Sequence, residues 1–323
     1  MRVPLGGVGW DALSLVEKAR DDRPLIERRS VLRGGFLETQ ARTIIERVPD
    51  WAGIPQGWAV SPYRGCAHAC LGCVSRGGHR RLGLDAGRDF DTRVVVKANA
   101  AARFAREVQR WDGRPLAVGV SGDCYQEAER VYGLMPQIVT AAARAGVALT
   151  VYTKSPLVLR DAEVLARAGT RVAVSIASVD ERIRRATEPG AVSSQARLEL
   201  VSALAQAGVA THVLMAPVLP LLTDAGDQLA ATVRRIAASG ASGVHPVVLR
   251  LPSGTRQWFL QWLGERHPAL VERYEELYDR SGVPSAAYEE RIVGQIAQLA
   301  ASYGMAPVGE PVVERPFDQL SLV

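Results

Sequence analysis

The stretch from residue 61 to residue 79 constrains this chain most, because it holds three of the four cysteines. Cys66, Cys70 and Cys73 follow a C-x3-C-x2-C spacing, so their thiolates can converge on a single soft metal centre. Four thiolates complete a [4Fe–4S] cluster, whereas three leave one iron without a protein ligand. The spacing therefore predicts a [4Fe–4S] cluster with one iron open to a small molecule.

A structural zinc site is the alternative for the same cysteines, with His68 or His79 as the fourth ligand. A zinc ribbon would add a second C-x2-C or an H-x3-H pair, and the sequence has neither. If the cysteines did bind zinc, the chain would be a non-catalytic zinc-binding module. A disulfide is not expected, because residues 1–6 lack the basic and apolar pattern of a secretory signal. We expect a cytoplasmic protein.

Charge and hydropathy limit the other function classes. The chain has 39 basic and 34 acidic residues, a formal net charge of +5. This balance is compatible with a phosphate-bearing partner, but it is far below that of a domain with a dense basic patch for nucleic acid. No run of about 18 apolar residues occurs, so we expect no membrane-spanning helix.

Short apolar runs alternate with helical patterns that end at glycine, which is the rhythm of a parallel βα fold. The expected strands cover residues 58–60, 115–120, 147–153, 171–178, 209–216 and 243–251. The expected helices cover residues 98–111, 130–145, 157–168, 193–207 and 225–239. Six strands with five crossovers predict an α/β fold, an open (β/α)6 arrangement two strands short of a TIM-type barrel.

The same pattern suggests three parts of the chain. Residues 1–55 form an N-terminal extension, residues 56–252 the partial barrel, and residues 253–323 a C-terminal helical segment with a helix near 284–303. In parallel βα folds, ligands bind at the carboxyl ends of the strands. The cysteines follow the first expected strand, so we expect the functional site at that edge.

The sequence around the cysteines resembles the spore-photoproduct-lyase-like subfamily of the radical S-adenosylmethionine (SAM) enzymes. The likeness is carried by residues 61–70, by Arg76 and His79, and by Gly87-x-Asp89-Phe90. It implies a partial barrel, a [4Fe–4S] cluster, SAM bound to the open iron and an external electron donor such as flavodoxin or ferredoxin. It also implies reductive cleavage of SAM to a 5′-deoxyadenosyl radical. The subfamily places aromatic residues on either side of the third cysteine, where this chain has Gly72 and Val74.

Polar residues at the ends of the expected strands are candidates for binding SAM. Ser121, Gly122 and Asp123 resemble a family element that serves SAM, although Asp123 is also a good helix cap. Lys154 and Ser175 match a lysine and a serine that serve SAM in the lyases, with Lys154 placed to contact the SAM carboxylate.

Three more residues are candidates with an open role. Cys124 is a candidate hydrogen-atom donor or an ordinary core residue, and the neighbouring Tyr125 is a candidate radical relay. Glu188 belongs to a segment, residues 184–190, that resembles an Arg-x-x-Glu-Pro segment of the subfamily. We expect it to order that loop against SAM or substrate, or to form a surface salt bridge.

The sequence thus favours a radical SAM enzyme that abstracts hydrogen from a small metabolite or a nucleic-acid base. Repair of a DNA lesion, as in the photoproduct lyases, is the alternative within that class. The non-catalytic zinc module is the second alternative. The glycine and valine at positions 72 and 74 favour a substrate that differs from that of the lyases.

Overall fold

The computed structural model describes residues 32–33, 35–49 and 52–308. Among them, eleven strands form two sheets. The strands are β1 Leu32–Arg33, β2 Phe36–Thr39, β3 Ile45–Arg47, β4 Trp58–Val60, β5 Tyr63–Arg64, β6 Val95–Lys97, β7 Leu116–Val118, β8 Leu149–Thr153, β9 Arg171–Ser175, β10 Thr211–Val218 and β11 Val244–Val248.

The larger sheet has the strand order β11-β10-β9-β8-β7-β4-β3. Its first six strands are parallel, and each lies beside the next one along the chain. This order confirms the predicted α/β fold with a parallel sheet. The edge strand β3 pairs antiparallel with β4, so part of the expected N-terminal extension belongs to the sheet.

Helices connect the parallel strands, as the glycine-punctuated pattern predicts. The α-helices are α1 Arg88–Thr92, α2 Ala100–Glu107, α3 Glu127–Tyr132, α4 Met135–Arg144, α5 Ala162–Arg167, α6 Glu181–Thr187, α7 Ser194–Gln206, α8 Gly226–Ala238, α9 Thr255–Arg266, α10 Val271–Leu277 and α11 Ala286–Ser302. A 3₁₀ helix at Pro156–Asp161 precedes α5 and another at Arg76–Leu82 follows the cysteines. No helix among the described residues is long and apolar enough to cross a membrane.

The single helix predicted at residues 130–145 is wrong, because the structure has two helices there. Gly133 ends α3 in the left-handed conformation, with φ of 56°. The buried carboxylate of Glu129 then accepts hydrogen bonds from the backbone N–H groups of Leu134 and Met135. These bonds satisfy donors at the start of α4, so the chain begins a new helix there.

The two faces of the parallel sheet carry different residues, since side chains alternate along each strand. Valines and leucines of one face pack against the helices in the main hydrophobic core. The other face presents small residues, Ala59, Ala117 and Ala173, which pack with Ala52 and Ile54. The segment at residues 52–54 therefore covers part of this face of the sheet.

The smaller sheet has the order β1-β2-β6-β5 and leads directly into the cysteines, since β5 ends at Arg64. After β11 the chain forms the helices α9, α10 and α11. Its aromatic residues Phe259, Tyr274 and Tyr278 pack against Leu249 and Leu251 in a second hydrophobic cluster. Residues 314–322, whose sequence resembles the C-terminal tail of the same subfamily, lie outside the described residues.

Candidate active site

A cavity opens at the carboxyl ends of the parallel strands, where the sequence predicts the site. Its volume is about 1170 Å³ when the space open to solvent is included. Ligands of parallel βα folds bind at this edge of the sheet, so the cavity is the candidate binding site. Eight of the candidate residues line it, namely Cys66, Cys70, Cys73, Gly122, Asp123, Lys154, Ser175 and Glu188.

The three cysteines lie together on the wall of this cavity as free thiols. Burial raises the pKa of each of these thiols, that of Cys66 to about 12. Cys66 is buried, and Cys70 and Cys73 are half-buried. Neighbouring thiols with raised pKa values lose their protons readily only when a cation binds them. The donor set therefore fits a metal centre.

The spacing of these thiols bears on the kind of metal centre. Among the described residues, no three His, Cys, Asp or Glu side chains are close enough to hold a single metal ion. The thiolates of a cubane cluster bind three different irons, so they lie farther apart than the ligands of one ion.

Arg76 fixes the position of the cysteine loop. Its side chain is completely buried, and Nε donates to the carbonyl of Cys70 at 2.9 Å while Nη2 donates to Asp91 at 2.8 Å. The guanidinium also lies over the rings of Phe90 and Trp258, 4.9 and 5.2 Å from their centroids. These contacts give Arg76, a residue of the family resemblance, a role in loop position.

The two histidines of the motif have different surroundings. His79 Nε2 lies 3.2 Å from the carbonyl of Arg93, and its ring is 2.8 Å from where a Cβ on Gly65 would lie. Gly65 also has φ of +81°, so a larger residue is disfavoured twice. His68 lines the cavity, with Nδ1 3.4 Å from Asp123 Oδ2. Burial lowers the pKa of His68.

Asp123 ties the end of β7 to the end of β8. Its Oδ1 accepts from the Thr153 hydroxyl at 2.8 Å, and its Oδ2 accepts from the backbone N–H of Lys154 at 2.7 Å. The alternative that Asp123 caps the following helix is wrong, because Gln126 is the N-cap of α3. Asp123 thus places Lys154 while its carboxylate faces the cavity.

A buried group of charged side chains forms at the ends of β8 and β9. Lys154 Nζ donates to Ser175 Oγ at 2.6 Å and lies 3.4 Å from Glu188 Oε1. Burial lowers the pKa of Lys154, but Glu188, Cys70 and Asp123 together outweigh that effect, so the net shift is upward. For Glu188, burial raises the pKa, and Lys154 and Arg197 reverse that shift. Both groups therefore remain charged at neutral pH.

Arg197 completes this group and was missed by sequence reasoning. It is fully buried on α7. It donates to Glu188 Oε2 at 2.6 Å and to the carbonyl of Ser175 at 2.9 Å. The sequence could have revealed it, because Arg197 lies on the apolar face of α7 together with Leu198 and Val201. A charged residue on that face is expected to be buried and paired.

The Glu188 segment packs directly on the cysteine loop. The backbone N–H of Leu71 donates to the carbonyl of Thr187 at 2.9 Å, and that of Gly190 donates to the carbonyl of His68 at 3.1 Å. A Cβ on Gly190 would lie 2.1 Å from the carbonyl oxygen of Ala67, so only glycine allows this approach. The alternative of a surface salt bridge for Glu188 is wrong, since its side chain is buried.

The structure does not bring three candidates to the cavity. Ser121 donates from Oγ to Glu46 at 3.0 Å, on the side of the antiparallel strand β3. Cys124 and Tyr125 are completely buried in the main hydrophobic core. The cause is the tight turn that forms when the N–H of Tyr125 donates to Asp123 Oδ1 at 2.8 Å. As a correction, Ser121, Cys124 and Tyr125 do not line this cavity.

Comparison with known proteins places this site in a family. Residues 60–234 match the family described as the radical SAM superfamily. An uncharacterized protein of Mycobacterium tuberculosis is 42% identical over 277 residues, which cover 84% of this chain and 82% of that protein. A protein of the Acidianus two-tailed virus is 25% identical over 257 residues, covering 76% and 85% of the two chains.

A solved structure of a spore photoproduct lyase mutant, with bound AdoMet and dinucleoside spore photoproduct, has the same fold. The TM-score is 0.65 at 13% identity, over 83% of this chain and 79% of that chain. Enzymes of the matched superfamily use a [4Fe–4S] cluster and SAM and need an electron donor. The chain belongs to the radical SAM superfamily.

Proposed function

We propose that this enzyme holds its [4Fe–4S] cluster through Cys66, Cys70 and Cys73, and that it acts on a small substrate. The observation that carries the proposal is one cavity lined by three free thiols and by the Lys154–Ser175–Glu188 group. When bound, the cluster and SAM supply the 5′-deoxyadenosyl radical that abstracts a hydrogen atom from the substrate.

The charged group at the ends of β8 and β9 suits the methionine part of SAM. Lys154 carries a buried positive charge that would pair with the SAM carboxylate, with Ser175 beside it. Glu188 Oε1 is buried and lies 3.4 Å from the Lys154 ammonium, without a well-formed hydrogen bond from a described residue. A buried acceptor of this kind is costly unless a donor reaches it, and the SAM ammonium would supply that donor. Gly122 and Asp123 would border the ribose.

We further propose that the six parallel strands curve into a partial barrel at residues 56–252. Residues 1–55 and 253–323 would flank it as extension and helical segment. The buried small residues Ala59, Ala117 and Ala173 support this arrangement, because they leave space on one face of the sheet. A cytoplasmic location, with flavodoxin or ferredoxin as the electron donor, agrees with the need for a reduced cluster.

The position of the fourth cysteine favours a substrate other than a DNA lesion. Repair needs a thiol that returns a hydrogen atom to the product radical, and three of the four cysteines are proposed cluster ligands. Cys124 is completely buried in the hydrophobic core, with Sγ 3.8 Å from the carbonyl of Tyr152. The fold of spore photoproduct lyase supports lesion repair as the second candidate.

Reduced enzyme mixed with SAM alone should release 5′-deoxyadenosine and methionine slowly, because the radical then has no well-placed target. A true substrate should accelerate release by placing a C–H bond within reach. Chromatography of the products measures this, and we expect ultraviolet-irradiated thymine dinucleotides to have no effect. Acceleration by those dinucleotides would replace our proposal with lesion repair. No 5′-deoxyadenosine from a full, reducible cluster would contradict the radical chemistry.

The glycine at position 72 has a structural explanation. A Cβ there would lie 2.7 Å from Leu249 Cδ1 and 3.5 Å from Pro217 Cγ. Leu249 is completely buried, so it has little freedom to move aside. Leu249 therefore occupies the space that a side chain at position 72 would need.

We accordingly expect Gly72→Phe to weaken SAM binding and to lower the iron content, because the ring displaces Leu249 or the cysteine loop. The double variant with Leu249→Ala should recover both, since it removes the clashing side chain. Equilibrium dialysis with SAM and iron analysis measure the two quantities, and Leu249→Ala alone is the control. Wild-type SAM affinity in the Gly72→Phe single variant would contradict this account.

A further inference from the structure

The cavity has two chemically different halves. The thiols and the charged group of Asp123, Lys154 and Glu188 lie at the ends of strands β4 to β9. The remaining wall, at the ends of β10 and β11 and over residues 52–54, is mainly apolar, with Ile54 and Leu219 among its lining residues. Arg250 is the one charged side chain in that second half among the described residues.

Arg250 has donor groups that the protein leaves unused. Its Nη2 donates to Glu289 Oε1, on α11, at 2.5 Å. Its Nε is buried without a hydrogen-bond partner among the residues that the structure describes. A guanidinium has five N–H donors arranged to hold a carboxylate or phosphate with two parallel bonds. One carboxylate contact therefore leaves Arg250 with capacity for an anionic ligand.

Arg250 and Lys154 contact different groups of the protein. Lys154 follows β8 and contacts Ser175 and Glu188. Arg250 follows β11, three strands away in the sheet, and contacts Glu289. Lys154 binds the SAM carboxylate under the proposed function, so Arg250 remains for a second molecule.

We infer that Arg250 recognises an anionic group, a carboxylate or a phosphate, on a substrate whose remaining surface is largely apolar. This inference rests on the proposed function, which assigns the other half of the cavity to SAM. The apolar wall contacts the body of the substrate, and Arg250 fixes its orientation against the reacting centre. Glu289 competes with the substrate for the guanidinium, so it sets the affinity.

The test uses the anaerobically reconstituted, SAM-loaded enzyme and three probes of similar size, benzoate, phenyl phosphate and neutral benzamide. Isothermal titration calorimetry measures the affinity for each. We expect one of the two anions to bind better than benzamide by about tenfold or more, and the preferred anion identifies the substrate's charged group. Arg250→Gln should abolish that preference and leave the SAM affinity unchanged.

Glu289→Gln is the informative partner variant, because it keeps the size of the side chain and removes the competing charge. It should strengthen anion binding several-fold, the opposite direction from Arg250→Gln. Equal affinity for benzamide and both anions, including no measurable binding of any, would overturn the inference. So would Arg250→Gln that weakens SAM binding and leaves anion binding unaltered. Failure of the proposed function itself would instead show as wild-type enzyme that binds no SAM.

Discussion

Replacing any one of Cys66, Cys70 and Cys73 with alanine is expected to remove most of the iron and acid-labile sulfide from the reconstituted protein. The three thiols line one cavity, and a cubane held by two thiolates has two unprotected irons. The visible absorption of the cluster should fall with the iron content. Iron and sulfide analysis of anaerobically reconstituted protein measures the loss.

Cys124→Ala is the matched control, because it removes the same side chain from the fourth cysteine. That thiol lies in the hydrophobic core and outside the cavity, so this variant should keep wild-type iron. The small cavity left by the missing sulfur should cost about 1–2 kcal/mol of stability, which thermal unfolding measures. Loss of most of the iron from Cys124→Ala would refute the ligand assignment.

Lys154→Met should weaken SAM binding by about 1–3 kcal/mol, the range for a hydrogen bond between charged groups. That is roughly a five- to 150-fold rise in Kd. The methionine keeps the length of the side chain, so the loss reports on the charge. Removing the Lys154 ammonium also leaves the buried Glu188 with Arg197 as its cationic partner. Equilibrium dialysis with labelled SAM measures the affinity, and iron analysis shows whether the cluster is intact.

Lys97→Met is the control for this experiment, since Lys97 is the other lysine among the described residues. Burial lowers the pKa of Lys97 to about 8, and Glu46 partly offsets that effect. Lys97 does not line the cavity, so this variant should bind SAM as the wild type does. An unchanged SAM affinity in Lys154→Met with a full cluster would show that Lys154 does not hold SAM.

Local patterns in the sequence were sufficient to predict the cluster loop and the parallel sheet. The cysteine spacing indicates a cluster with an open iron, and the alternation of apolar runs with glycine-ended helices predicts the parallel sheet. The predicted first strand, residues 58–60, coincides with β4. The rule that ligands bind at the carboxyl ends of parallel strands correctly predicted that Asp123, Lys154 and Ser175 line the cavity. These signals depend on near neighbours in the chain, which is why one sequence reveals them.

The tertiary structure decided the direction and the partners of the side chains. Cys124 follows Asp123 in sequence, yet one tight turn sends its thiol into the core. Arg197 meets Glu188, and Leu249 fills the space beside Gly72, through packing between elements distant in the chain. Spacing along a sequence carries no record of such contacts. The sequence thus determined which chemistry the chain supports, and packing determined which residues reach the site, because burial and distance arise only in the folded chain.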